Sequence, residues 1–277
     1  MSTWYGEAPP PQPRRAFSLG DKLRIAWRGP AIVLVIAVLL VPLQIARLAE
    51  RLAFGPRRPL SPYIVQAACR AALAILRLPV TASGVRMRGP GAVVANHSSW
   101  LDIFVLHARK NVFFVAKSEV SGWPGIGLMA RGAGTVFIRR DPREAQAQTQ
   151  LFEQRLLAGH RLLFFPEGTS TDGLRVLPFK TSLFGAFFSD GLRHDLQVQA
   201  VTVIYHAPPG EDGRFYGWWG SMDLAPHLAQ VLAAKRQGRV ELVYHAPVRV
   251  DAYPNRKSLA RALETQVREA YPAVPES

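Results

Sequence analysis

The ten residues VVANHSSWLD, Val93 to Asp102, run from an apolar stretch into a polar turn and on into a new apolar periodicity. AVVAN has the composition of a short strand buried on both faces. SSWLDIFVLHAR reads as the helix that follows it. Ser99 and Asp102 stand at the spacing of a capping box, in which the carboxylate serves only the first amides of the helix. His97 and Asp102 stand five residues apart. On one straight helix, residues so spaced point about 140° away from each other. They meet only if His97 lies in the turn before the helix and Asp102 in its first turn. Asn96 and Ser98 are turn and cap formers and favour that placement. Asp102 can then hold one ring nitrogen of His97 and leave the other free as a general base. Cap and catalytic pair are compatible, since a carboxylate can orient a histidine from a helix N-terminus.

Downstream, β-rich runs alternate with helical patterns. AVVAN, NVFFVAK, TVFIRR, RLLFFP, VQAVTVIYH and VELVYHAPVRV read as strands. WLDIFVLHAR, GIGLMARG, PREAQAQTQLFEQRLLAG, FKTSLFGAFF and RKSLARALETQVREAY read as helices. The expected class is α/β, with a mixed, largely parallel sheet covered by helices. The strand runs are near-continuously apolar, as expected where both faces are buried.

Upstream of Pro79 the composition is different. APPPQP at residues 8–13 and the pair Arg14 and Arg15 read as a flexible basic lead. Residues 29–46 carry no charge, and Lys22, Arg24, Arg28, Arg47, Arg51, Arg57 and Arg58 flank them on both sides. That length sits at the lower edge of what crosses a bilayer. Basic residues on both flanks fit an interfacial or re-entrant anchor better than an oriented crossing. A second helical pattern, YIVQAACRAALAILRL, follows Pro59 and Pro62. The expected division is a basic lead with a helical membrane-docking segment over 1–78 and an α/β domain over 79–277.

The 277 residues hold 34 Lys and Arg against 20 Asp and Glu, a formal net charge of +14. Such a field favours anionic partners. Residues 1–58 hold nine Lys and Arg against three Asp and Glu, so much of the excess surrounds the apolar segment and points to a lipid surface. No nucleic-acid motif accompanies it, and a nucleic-acid partner is not expected. The lone cysteine, Cys69, excludes an intrachain disulfide and fits a cytosol-facing location. His107, His160, His194, His206, His227 and His245 show no metal-ligand spacing, and no metal is expected. No G-x-S-x-G elbow surrounds any serine, so a base at His97 would act on a substrate hydroxyl. The cluster FYGWWG, Phe215 to Gly220, suits either a membrane interface or ordinary core packing.

A second stretch, LLFFPEGTSTDG, ends a strand with Pro166-Glu167-Gly168-Thr169. Alone it reads as a turn with an exposed glutamate. With NHSSWLD upstream it makes an ordered pair, and GTVFIRR lies between them. Over roughly Val85 to Tyr205 the chain resembles the glycerophospholipid acyltransferase family, the lysophosphatidate acyltransferase-like enzymes. The NHxxxxD block falls on Asn96, His97 and Asp102. The Gly-x-x-Phe-Ile-x-Arg block falls on Gly134, Phe137, Ile138 and Arg140, and FPEGT on Phe165 to Thr169.

The resemblance implies a membrane-associated O-acyltransferase on the cytoplasmic face of the inner membrane, with no cofactor and with acyl-CoA or acyl carrier protein as co-substrate. His97 would deprotonate a lysolipid hydroxyl, and Asp102 would support the imidazolium. Arg140, Glu167, Gly168 and Thr169 would bind the acceptor's head, with Arg139 and Lys180 as further cations. Two departures stand out. Ser170 follows EGT where the family often carries arginine, and Ala200 replaces an expected proline in VQAVTVIY. LPFKTSLFGA and RFYGWWGSMDLAPHL resemble a bacterial branch that includes lyso-ornithine lipid acyltransferases. Lysophosphatidate is the first acceptor expected and a lyso-aminolipid such as lyso-ornithine lipid the second. A catalytically inactive lipid-binding protein is the competing class, and intact His97, Asp102 and Glu167 argue against it.

Overall fold

The computed structural model describes residues 3–6, 16–123, 126–139 and 142–271. Helix α1 (Leu19–Phe54) begins at a capping box: Asp21 N donates to Ser18 Oγ at 3.2 Å and Ser18 N to Asp21 Oδ2 at 2.8 Å. It continues through Pro30 and Pro42 as one helix of 36 residues, twice the uncharged stretch. Helix α2 (Ser61–Leu76) follows, with proline in its first turn, where the missing N–H is not needed.

The α/β expectation holds. Strands β1 (Val80–Gly84), β2 (Gly91–Ala95), β3 (Phe113–Lys117), β4 (Val136–Ile138), β5 (Arg161–Phe164), β6 (Gln197–His206), β7 (Arg239–Tyr244) and β8 (Val248–Arg249) form one sheet. The order is β1-β7-β6-β2-β5-β3-β4, with β8 beside β6. β6, β2, β5, β3 and β4 run parallel, and β7 runs antiparallel to β6. Helices α3 (Asp102–Arg109), α4 (Ile126–Ala133), α5 (Ala145–Leu157), α6 (Leu224–Ala233) and α7 (Arg256–Glu269) complete the chain. Alternate residues of β2 feed two cores. Val93 and Ala95 pack with α2, α3 and α6, and Ala92 and Val94 with α5 and α7.

Three local readings change. FKTSLFGAFF is not an α-helix; its Leu183–Phe188 part is a 3-10 turn that buries Phe184, Ala186 and Phe187. VELVYHAPVRV breaks into β7 and β8, because Pro247 has no N–H to give a ladder. β1 and α6 were not anticipated, since their short sequences carry little period.

Helix α1 packs inside out. Its buried positions are Asp21, Arg28, Leu43 and Glu50, on one stripe. Arg28 Nη1 donates to the Leu232 and Ala234 carbonyls at 2.8 Å each. Arg47 Nη1 donates to those of Arg131 and Gly132, and Glu50 accepts from the Leu60 and Ser61 amides. Val33, Leu34, Val38, Val41, Ile45, Leu48 and Leu52 point away from the protein, each 60% exposed or more.

Candidate active site

The parallel register sets the site. Val94 pairs with Phe164, so Asn96-His97 leaves β2 beside Phe165-Pro166-Glu167 leaving β5. The Asn96 side chain prolongs the β2–β6 pairing by one step: Nδ2 donates to the Val203 carbonyl at 2.9 Å, and Val203 N donates to Oδ1 at 2.7 Å. That clamp fixes where the turn begins. His97 then lies in the turn and Asp102 opens α3, the one arrangement in which residues so spaced can meet.

They do meet. His97 Nδ1 and Asp102 Oδ2 are 2.7 Å apart. The same oxygen accepts from Ser98 N at 2.9 Å and Ser99 N at 3.1 Å. The capping box is half formed, because the Ser99 hydroxyl takes Leu101 N and not Asp102 N. Asp102 is fully buried, whereas the His97 side chain is 20% exposed. The imidazole stacks on Phe165, with centroids 4.0 Å apart and planes within 9°. Its Nε2 makes no hydrogen bond to any described residue.

Glu167 is buried, not the exposed turn residue that its local sequence suggests. Oε1 accepts from His97 N at 2.6 Å and Oε2 from Leu177 N at 2.7 Å. Burial pushes the carboxyl up to about 8, against the pull of those two amides. The carboxyl group therefore ties the FPEGT turn to the backbone of the catalytic histidine candidate. Gly168 takes φ +77°, a left-handed conformation that favours glycine. Thr171 N closes the other side of the turn on the His97 carbonyl at 2.9 Å.

The remaining candidates are spread more widely. Thr169 lies half-buried in the FPEGT turn, and Lys180 is held against it by its backbone, N to the Pro166 carbonyl at 2.9 Å. Arg139 follows β4, three strands from β2 or roughly 14 Å away at ordinary strand spacing. Its side chain is 73% exposed and lies 3.6 Å from Glu144. Arg140 lies outside the described residues. Ser170, where an arginine was expected, is buried and uncharged. Of the FYGWWG cluster, Phe215, Tyr216 and Trp219 are buried, and Trp218 N donates to the Ser98 carbonyl at 2.8 Å. That loop buttresses the histidine turn.

Sequence reasoning missed Tyr205. Its hydroxyl donates to Asp102 Oδ1 at 2.7 Å, and both groups are buried. Burial, reinforced by the Asp102 charge, holds the phenol well above its usual range, so it remains a donor. Nothing local marks it out from the apolar strand VTVIY; only the β2–β6 pairing brings it to α3.

The arrangement is a buried carboxylate, a histidine held through one nitrogen, and a second nitrogen open to a substrate. A family model described as Acyltransferase matches residues 78–205. The chain is 54% identical over 265 residues to a lyso-ornithine lipid O-acyltransferase of Rhodobacter capsulatus, covering 96% of this chain and 95% of that one. It is 39% identical over 120 residues to a 1-acyl-sn-glycerol-3-phosphate acyltransferase of Neisseria gonorrhoeae, covering 43% of this chain and 46% of that one. In fold it is similar to the crystal structure of the 1-acyl-sn-glycerophosphate acyltransferase PlsC from Thermotoga maritima. There the TM-score is 0.63 at 19% identity, over 91% of this chain and 96% of that one.

Proposed function

The chain belongs to the acyltransferase family that acts on lysolipids, and from that premise we propose that its acceptor is lyso-ornithine lipid and its base is His97. His97 Nε2 takes the proton of the acceptor hydroxyl as that oxygen attacks the thioester carbonyl of acyl carrier protein or acyl-CoA. The tetrahedral adduct collapses, the carbon–sulfur bond breaks, and the thiolate takes the proton back from the imidazolium. Asp102 keeps Nδ1 oriented and balances the transient cation. The observation that carries the mechanism is the 2.7 Å His97–Asp102 contact with Nε2 left open.

Of the two acceptors, the similarity over nearly the whole chain favours lyso-ornithine lipid; the match to the Neisseria enzyme covers less than half. Charge supports the same choice. A phosphomonoester carries close to two negative charges and wants more than one cation. Ser170 contributes none, and Arg139 is exposed and turned to Glu144, which leaves Lys180 as the candidate cation beside the turn among the described residues. Initial rates with purified protein, one acyl donor and the two acceptors test this. We expect kcat/KM for lyso-ornithine lipid to exceed that for lysophosphatidate at least about tenfold, which is about 1.4 kcal/mol. The reverse order would return the acceptor to lysophosphatidate and leave the base unchanged, because both present a hydroxyl.

We also propose that α1 lies along a lipid surface on the cytoplasmic side. A row of exposed Val, Leu and Ile opposite a buried charged stripe suits hydrocarbon on the outer side and protein on the inner. Because Arg28, Arg47 and Glu50 hold the helix to the domain along its length, a dip into one leaflet fits it better than a crossing. Leu34→Lys with Val41→Lys should release the protein from membranes without unfolding it, since both side chains are over 60% exposed. Undiminished sedimentation with membranes would refute the placement.

A further inference from the structure

At the N-terminal edge of the parallel strands, the edge away from His97, cationic side chains gather without matching anions. Arg58, on the link between α1 and α2, lies 5.7 Å from the centre of the Phe113 ring, and Arg155 of α5 lies 4.9 Å from the same centre. His160, 4% exposed, packs against that ring with centroids 4.3 Å apart and the planes tilted by 37°. Arg47 approaches from α1, within electrostatic reach of both guanidiniums.

Arg47 Nη1 is committed to the Arg131 and Gly132 carbonyls, but much of the hydrogen-bonding capacity of the other three is unused. Arg58 is half-buried and makes no hydrogen bond to any described residue. Arg155 gives Nη2 to the Gly134 carbonyl at 2.8 Å, but its Nε is buried without a partner. His160 faces the Pro56 carbonyl without closing a hydrogen bond to it, and both ring nitrogens are buried and unpartnered. Among the described residues the one nearby carboxylate is Glu50, which spends Oε1 on the Leu60 and Ser61 amides and leaves Oε2 buried and unpaired. Burial and the adjacent guanidiniums pull Arg155 down to about 10 and His160 down to about 4. A cluster of three guanidiniums around a single carboxylate, with open donors, lacks an anion.

The surroundings say which anion. Phe54 at the end of α1, Leu60 on the link and Tyr63 in the first turn of α2, each more than 50% exposed, flank Arg58 along the chain, and the apolar face of α1 ends there. An anion reaching this cluster therefore comes from a lipid head group at the height where apolar and basic side chains meet. We propose that Arg47, Arg58 and Arg155 bind the phosphodiester of an anionic membrane phospholipid, at a site separate from the acyl-acceptor site. His160 lies about five residues of strand β5 from Phe165, roughly 17 Å from the ring beneath His97, so one head group cannot occupy both. This inference rests on the lipid-surface reading of α1.

Vesicle flotation at high salt tests it, because salt screens diffuse attraction between exposed charges more than a partly buried contact. Full-length protein is floated with phosphatidylcholine vesicles, alone or containing phosphatidylglycerol. We expect tighter binding to the phosphatidylglycerol vesicles. Arg58→Gln, which breaks no internal hydrogen bond, should lower that binding roughly tenfold. Arg51→Gln with Arg57→Gln removes more charge from exposed neighbours and should lower it little. Equal losses in the two variants would overturn the site in favour of diffuse attraction. Binding without preference for phosphatidylglycerol would overturn the site alone, and flotation with neither vesicle would overturn the lipid-surface reading as well. Thermal stabilisation of the wild type, but not of Arg58→Gln, by inorganic phosphate without lipid would make the ligand free phosphate and contradict the lipid assignment.

Discussion

The Tyr205 hydroxyl donates to Asp102 Oδ1 at 2.7 Å, on the opposite carboxylate oxygen from the one that meets His97. Asp102 thus has donors on both oxygens and no freedom to rotate away from the imidazole. Tyr205→Phe leaves a buried oxygen unpaired. A hydrogen bond to a charged group is worth about 1.5–3 kcal/mol. We expect a loss of that order in unfolding free energy, and about tenfold in kcat with KM unchanged. Wild-type rates and stability in this variant would show the contact to be idle.

Asp102→Asn separates charge from capping. The amide oxygen can accept from Ser98 N and Ser99 N while its NH2 turns to the Tyr205 oxygen, which can accept. The fold should survive, and kcat should fall about 10² to 10⁴. A folded variant with near-normal turnover would leave Asp102 with the cap alone.

Glu167 gives stability a pH dependence. Its ordinary value is 4.5 and burial raises it to about 8 in the folded chain. Between those values the folded protein holds a proton that the unfolded chain has shed. Its contribution is therefore greatest below pH 4.5 and is lost as pH rises through 8, by an amount on the order of a few kcal/mol. Wild-type Tm should fall across this window relative to Glu167→Gln, which has no such slope. Parallel melting curves for the two proteins would contradict a buried, raised carboxyl.

Arg139 and Lys180 should part company. The Arg139 side chain is mostly in solvent, and an exposed pair such as Arg139–Glu144 is worth about 0–1 kcal/mol. Arg139→Ala should change KM for the acceptor by less than about threefold. Lys180→Ala, beside the FPEGT turn, should raise it more. The opposite order would move the head group toward β4.

The sequence already contained the sheet's class and the His97–Asp102 pair, for reasons visible in the structure. Parallel strands buried on both faces leave near-continuous apolar runs, and a turn followed by a helix start leaves polar cap residues. What the sequence did not show lies across pairings. Tyr205 reaches Asp102 only through the β2–β6 register, and the burial of Glu167 follows from β2 and β5 ending side by side. Helix α1 was legible as apolar, but its buried charged stripe was not, because Arg28 and Glu50 find their partners on α6, α2 and the links beside them.

The most direct test is the rate of acyl transfer to lyso-ornithine lipid by His97→Ala beside the wild type, from one thioester donor in mixed micelles. The side chain is partly exposed and its backbone contacts to Glu167 and Thr171 remain, so the variant should fold. With no base at this position we expect transfer to fall about 10² to 10⁴. A folded His97→Ala protein that transfers acyl groups within a few-fold of the wild-type rate would contradict the assignment of His97 as the base.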